Sequence, residues 1–113
     1  MKMIVAFIKE NKADEVMLAL HKVDGLTGAS SSKVHGFGCD RSRQAPQQKQ
    51  EISLDFKPHI RLELVCRSEL VEQVISTIRE AAHTGLHGDG KIYVSPVEES
   101  VRIRTGERGE STV

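Results

Sequence analysis

Apolar residues alternate in several segments of this chain and recur at helical spacing in two others, a combination that predicts an α+β fold. The segments follow in the order strand, helix, strand, strand, helix, strand. This βαββαβ order is that of the split βαβ or ferredoxin-like arrangement, an antiparallel sheet with both helices on one face. The 113 residues are expected to form one domain, 1–113, with an aliphatic core because only 4% of them are aromatic.

The first strand is predicted over MKMIVAFIK and is apolar on both faces. Its two sets of side chains are Met3, Val5 and Phe7 on one face and Ile4, Ala6 and Ile8 on the other. Both helices are expected on one face, so the other remains uncovered, and Val65 and Ile92 are expected to extend it. An exposed apolar sheet face favours packing against further copies of the chain, which predicts a homo-oligomer.

Two apolar stripes at helical spacing predict the helices. The first stripe, in residues 11–25, comprises Ala13, Val16, Met17, Leu20 and Val23, and the second, in residues 68–85, comprises Leu70, Val71, Val74, Ile75, Ile78 and Ala82. We expect Asp24 and Gly25 to close the first helix, Ser68 to cap the start of the second, and Gly85 to stop it.

The remaining strands are predicted from shorter runs. TGASSSKVHGFG is a weak strand, and HIRLELVC buries one face through Ile60, Leu62 and Leu64. KIYVSPV and SVRIR are expected to close the chain as two short strands, followed by a tail over residues 105–113.

The charge balance restricts the function classes. Sixteen Lys and Arg residues offset sixteen Asp and Glu residues, so the composition gives no support to a general nucleic-acid or membrane-surface role. No apolar run approaches the roughly 20 residues of a membrane span, and the first residues lack the pattern of a signal peptide, so none is expected. Cys39 and Cys66 lack metal-type spacing and are expected to be reduced thiols. We therefore expect a cytoplasmic protein without membrane insertion or a redox cofactor.

A long polar segment separates the second and third predicted strands. Residues 39–55, CDRSRQAPQQKQEISLD, are rich in glutamine and exceed the usual length of a connection between paired strands. One interpretation is a mobile loop without function. The other is a binding loop, because loops of this length in compact domains more often carry function.

The segment TGLHGDGKIYV, which begins at Thr84, predicts a site for an anion. Gly85, Gly88 and Gly90 precede Lys91, and a glycine turn can direct several backbone N–H groups at one anion while the lysine adds a charge. Arg102 and Arg104 are two residues apart on the predicted last strand, so both would leave the same face and suit phosphate oxygens. The spacing is not that of a P-loop, because no Ser or Thr follows the lysine and a strand comes next.

TGLHGDGKIYV, VRIRTGE and the GFG before the long loop together resemble the PII signal-transduction proteins, and the similarity covers nearly the whole chain. The resemblance implies a ferredoxin-like homotrimer that binds ATP or ADP, with AMP as an alternative and magnesium as a candidate companion, in clefts between subunits. It also implies that the long loop, called the T-loop in this family, docks onto a partner such as a transporter, an efflux system or a regulated enzyme.

By the same resemblance, residues 84–91 form the phosphate loop. The implied nucleotide-binding residues are Ser30, Gly36, Phe37, Gly38, Glu63, Val65, Gly88, Asp89, Gly90, Lys91, Arg102 and Arg104. Gly88 to Lys91 would hold phosphates, and the two arginines would reach the same phosphates from the neighbouring subunit. Ser30, Glu63 and Val65 fall where the family lines its adenine pocket.

The chain departs from the family pattern where 2-oxoglutarate is bound. Cys39 and Asp40 replace the arginine and glutamine that follow GFG, and His59 replaces a lysine that holds the effector carboxylate. The family's modified tyrosine and serine fall at Ile52 and Gln50. Conventional 2-oxoglutarate signalling is therefore not expected.

Two alternatives remain open at this point. Cys39, Asp40 and His59 are candidate effector or metal residues in a metal- or bicarbonate-responsive member of the family, although the five histidines are also compatible with plain surface residues. The other alternative is slow ATP hydrolysis in the same cleft. Asp89 is the one carboxylate of residues 84–91, the glycine loop, that could act as a base there.

Overall fold

The computed structural model describes residues 1–37 and 57–113. Its strands and helices are β1 (Lys2–Lys9), α1 (Ala13–His21), β2 (Ser30–Gly36), β3 (Lys57–Cys66), α2 (Val71–Ala82) and β4 (Lys91–Pro96). The βαββαβ order and the ferredoxin-like α+β fold are confirmed. The predicted loop over residues 39–55 lies outside the described residues.

The described strands form one antiparallel sheet in the order β2-β3-β1-β4. Strand β1 is central, with Ala6 opposite Leu62 of β3 on one side and Ile92 of β4 on the other. Residues directly opposite each other share a sheet face, so this register aligns the apolar side chains of three strands.

Both helices cover the same face of the sheet and enclose the core. Its buried members are Ile4, Ala6, Ile8, Val16, Leu20, Ile60, Leu62, Leu64, Cys66, Val74, Ile78 and Ala82. The remaining residues of the predicted helical stripes are buried or half-buried, so the helix faces predicted from the apolar spacing are confirmed. The prediction for Ile92 was wrong, because its pairing with Ala6 directs it to the helix side, where it packs against the core.

The opposite sheet face is apolar along β1, whereas the neighbouring strands add polar residues such as Arg61 and Lys91 on either side of Phe7. The ring of Phe7 meets Tyr93 edge-on, with centroids 6.2 Å apart, and the Arg61 guanidinium lies 5.8 Å from the Phe7 centroid. Tyr93 remains 54% exposed. No helix among the described residues packs on this face, so assembly through it remains a prediction.

Two local predictions were wrong. Residues 100–104 do not form a strand: Val101 bridges to Arg108, and the chain turns back through Gly106, whose φ of +76° suits glycine.

Ser68 does not cap α2, because a 3₁₀ turn (Ser68–Leu70) intervenes and the Ser68 hydroxyl instead accepts a hydrogen bond from the terminal ammonium at 3.4 Å. Helix α2 ends at Ala82, and Gly85 with φ +81° lies in the loop beyond it.

None of the helices in the described residues is long and apolar enough to cross a membrane.

Gly90 joins the glycine loop to β1 at a contact that allows no side chain. A Cβ at this position would lie 1.6 Å from the carbonyl oxygen of Phe7, and the residue has φ +100°. We expect Gly90→Ala to lower the free energy of unfolding by at least about 2 kcal/mol, measured by urea denaturation, because a backbone strain and a steric clash add together. The control is Gly28→Ala, whose Cβ would meet nothing within 4 Å. Equal stability of the two variants would contradict this account of the loop.

Candidate functional site

A groove of about 1050 Å³ opens at one end of the sheet. It lies between the glycine loop, which connects α2 to β4, and the ends of β1, β2 and β3. Four separate segments of the sequence therefore meet at this place, which is the usual situation for a binding site positioned by a rigid scaffold.

Asp89 organises the glycine loop from within. Its Oδ2 accepts the backbone N–H groups of Thr84 at 2.9 Å and Gly85 at 3.1 Å, and its Oδ1 accepts the Thr84 hydroxyl. The Lys9 ammonium lies 3.3 Å from Oδ1. The Thr84 hydroxyl, followed by these N–H groups and the lysine, keeps the pKa of Asp89 well below its usual range. The carboxylate is therefore charged and already occupied by partners within the protein.

Thr84 links the loop to the sheet. Its hydroxyl oxygen accepts the N–H of Leu86 at 3.1 Å and a hydrogen bond from the Lys9 ammonium at 3.1 Å. Because Lys9 is the last residue of β1, these bonds fix the loop relative to the central strand. Gly85, Gly88 and Gly90 all have positive φ, so the loop follows a path that other residues adopt at a cost.

The groove brings together part of the set predicted from sequence. Gly36, Phe37 and His59 line it together with Gly88, Asp89, Gly90 and Lys91. Lys9 and Lys57 also line it and were missed by the sequence analysis. Nothing in the local pattern marked them, since their proximity depends on the register between β1, β3 and β4.

The lysines that line the groove outnumber its acidic residues. Of its two acidic residues, Asp89 is paired with Lys9, and Glu10 lies 3.5 Å from the ammonium of Lys33 outside the groove. Lys57 and Lys91 are exposed in the groove. This arrangement favours an anionic ligand.

The residues assigned to the adenine pocket lie elsewhere on the chain. Ser30 is directly opposite Glu63, and Val65 follows two residues later on the same sheet face, away from the helices. Val65 is level with Met3, whereas Lys91 is level with Phe7, a separation of about 13 Å along the strand. One copy of the chain does not place these three residues in the groove.

Arg102 and Arg104 lie in a C-terminal hairpin, residues 101–108, in which Val101 pairs with Arg108. The Arg102 Nη1 lies 3.3 Å from Oε1 and 3.4 Å from Oε2 of Glu107. Arg104 is exposed near the tip. Neither arginine lines the groove of its own chain, so a shared site with the glycine loop requires a second copy.

The effector or metal set is only partly described. Gly38, Cys39 and Asp40 lie outside the described residues, and His59 is half-buried, with its Nδ1 donating to the carbonyl of Lys57 at 3.0 Å. Within residues 1–37 and 57–113, no three His, Cys, Asp or Glu side chains are grouped to hold a metal ion. Cys66 belongs to the core, and burial raises the pKa of its thiol.

Comparison with known proteins covers the whole chain. The family model described as nitrogen regulatory protein P-II matches residues 1–107. Proteins named nitrogen regulatory protein P-II are 47% identical in Azospirillum brasilense and 45% identical in Rhodospirillum rubrum, each over 100% of both chains. The protein of that name in Rhizobium meliloti is 48% identical over 96% of both chains. The fold, the glycine loop and these similarities agree, and the chain belongs to the nitrogen regulatory protein P-II family.

Proposed function

We propose that this chain is a cytoplasmic P-II regulator that binds an adenine nucleotide with its phosphates at the glycine loop and controls a partner protein through residues 39–55. The ligand is ATP or ADP, with AMP as an alternative and magnesium as a candidate companion. The observation that carries the proposal is the preformed loop around Gly88 and Gly90, which faces a positively charged groove.

The chemistry of the loop supports phosphate as the ligand group. Backbone N–H groups can approach an anion closely where no Cβ intervenes, and Gly88 and Gly90 provide two such positions. Lys91 adds a positive charge directly after them. Asp89 would repel a phosphate, so we assign it the role of holding the loop in shape through Thr84 and Gly85.

The second half of the site comes from a neighbouring subunit in this proposal. A homotrimer would cover the apolar sheet face around Phe7 and Tyr93. It would also bring Arg102 and Arg104 of one copy to the glycine loop of the next. Ser30, Glu63 and Val65 would complete the adenine pocket of this shared site. One copy alone cannot complete the site, because the two arginines and the three residues assigned to the adenine pocket all lie outside its groove.

The ligand site lies at the base of the long loop. Gly36 and Phe37 line the groove, and the chain continues from them into residues 39–55. A nucleotide in the groove would therefore contact the start of this loop and change the relative populations of its conformations. A partner that recognises one conformation, whether a transporter, an efflux system or an enzyme, would respond to the nucleotide.

We propose regulation without catalytic turnover. A general base must accept a proton, and the hydrogen bonds to Asp89 lower its pKa and so oppose this role. Incubation of the purified protein with ATP tests the assignment: ATP should remain intact over many binding events, whereas rapid multiple turnovers per site would establish an enzyme.

The phosphate contacts can be tested by removing the cations one at a time. We expect Arg102→Ala, Arg104→Ala and Lys91→Ala each to weaken ATP binding by about 10- to 100-fold in calorimetry, because each removes a hydrogen bond between charged groups. Arg104→Lys should recover part of the loss, since it keeps the charge but not the planar fork. Arg108→Ala is the matched control on the same hairpin, where Arg108 pairs with Glu99 at 3.5 Å. Parental affinity in both Arg102→Ala and Arg104→Ala would exclude the hairpin from the site.

The structural role of Asp89 predicts a pH-dependent loss of stability. Its folded-state pKa is lowered, so the stabilisation is present above the unfolded value of about 3.9 and is lost as the pH falls towards the folded-state value. We expect Asp89→Asn to lower the melting temperature at pH 7, and the difference from the parent to shrink below about pH 4. Asp14→Asn, on the exposed side of α1, is the control. A difference that is constant from pH 7 to pH 3 would contradict the assignment.

The departures at Asp40 and His59 predict the response to 2-oxoglutarate. Adding 2-oxoglutarate with magnesium should leave the affinity for ATP unchanged in calorimetry, because a carboxylate and an imidazole replace the groups that would hold the metal and the effector. The double variant Asp40→Gln, His59→Lys is the comparison in which a response is expected to appear. Strong synergy in the parent protein would refute this prediction.

A further inference from the structure

The C-terminal hairpin keeps its shape through backbone hydrogen bonds. The N–H of Arg102 donates to the Glu107 carbonyl at 2.8 Å, and the N–H of Gly106 donates to the Arg102 carbonyl at 2.7 Å. The N–H of Glu107 donates to the hydroxyl oxygen of Thr105 at 3.2 Å. None of these bonds involves the Glu107 carboxylate, so the turn does not require this side chain.

The Glu107 carboxylate instead contacts the Arg102 guanidinium. Both of its oxygens lie within 3.4 Å of Nη1, and the two side chains are 42% and 50% exposed. An ion pair with this exposure contributes little to stability, typically about 0–1 kcal/mol. A contact of this strength still orders Arg102 in part, because a free arginine side chain samples many rotamers and about 1 kcal/mol shifts their relative populations about fivefold.

The geometry of the pair leaves most of the guanidinium available. Only Nη1 contacts Glu107, whereas an arginine presents five N–H donors in a fixed plane. The donors on Nε and Nη2 are not used by this pair and lie in the plane that Glu107 constrains. A phosphate could accept from them while the contact with Glu107 persists.

We propose that Glu107 is a positioning residue that holds the Arg102 guanidinium in the orientation in which it binds a ligand phosphate. This inference rests on the proposed function, in which Arg102 contacts the nucleotide phosphates. Glu107 acts only through Arg102 and does not touch the ligand.

The sign of the effect separates positioning from simple electrostatics. Glu107 is negatively charged, so its direct interaction with a phosphate is repulsive, and electrostatics alone predicts that removing it tightens binding. Positioning predicts the opposite, because an arginine without its partner must be ordered when the ligand binds. In a chain without Arg102 only the repulsion remains, and removal of Glu107 then no longer weakens binding.

A double-mutant cycle on the full chain tests the proposal, with ATP affinity measured by calorimetry for the parent, Arg102→Ala, Glu107→Ala and the double variant. We expect Glu107→Ala alone to weaken binding by about two- to fivefold. In the Arg102→Ala background the same change should leave the affinity unchanged or raise it. Glu107→Gln keeps an acceptor oxygen and should lose less affinity than Glu107→Ala. Glu99→Ala is the matched control, since it removes the same charge from a pair with Arg108 beside the same hairpin.

The outcomes are distinct. Weaker binding by Glu107→Ala that disappears in the Arg102→Ala background supports the proposal, provided that Glu99→Ala binds like the parent. Unchanged or tighter binding by Glu107→Ala, or equal losses in both backgrounds, overturns it. Parental affinity of the single Arg102→Ala variant refutes the phosphate role of Arg102 itself, and thus separates failure of the proposed function from failure of this inference.

Discussion

The hydrogen bonds from Thr84 and Gly85 to the Asp89 carboxylate are the interaction on which the candidate site depends. They close the glycine loop upon itself, and Lys9 ties the closed loop to the end of the central strand. The carboxylate satisfies N–H groups at the start of the loop, so the glycines nearer β4 can serve a ligand. The presence of a negative residue in a candidate anion site is thus explained by the partners that this residue already has.

The same loop shows why the core and the site must be considered together. Gly90 lies against the backbone of Phe7, at a point where a Cβ would meet the carbonyl oxygen. The side chain of Phe7 contacts Tyr93 on the sheet face for which we predict assembly. The position of the loop, the register between β1 and β4, and that sheet face are therefore coupled through one residue of the central strand.

The sequence predicted the features that depend on local pattern. The alternation in β3 and the stripes in both helices identified the buried face correctly, because each periodicity places its apolar residues on one side. Ile92 was assigned to the wrong face, since only the register with Ala6 determines its side. The segment around Arg102, which the pattern predicts as a strand, forms a hairpin because Gly106 allows the chain to turn and Val101 to pair with Arg108. Lys9 was missed because its contact with Asp89 spans most of the chain.

The central claim is that the backbone of the glycine loop binds the nucleotide phosphates. Selective ¹⁵N labelling of the nine glycines, followed by NMR titration with ATP, tests it most directly, because each amide reports on its own surroundings. We expect the largest shifts at Gly88 and Gly90 and little change at Gly28, which lies before β2 outside the groove. Saturable ATP binding that leaves the Gly88 and Gly90 amides unshifted would contradict the account.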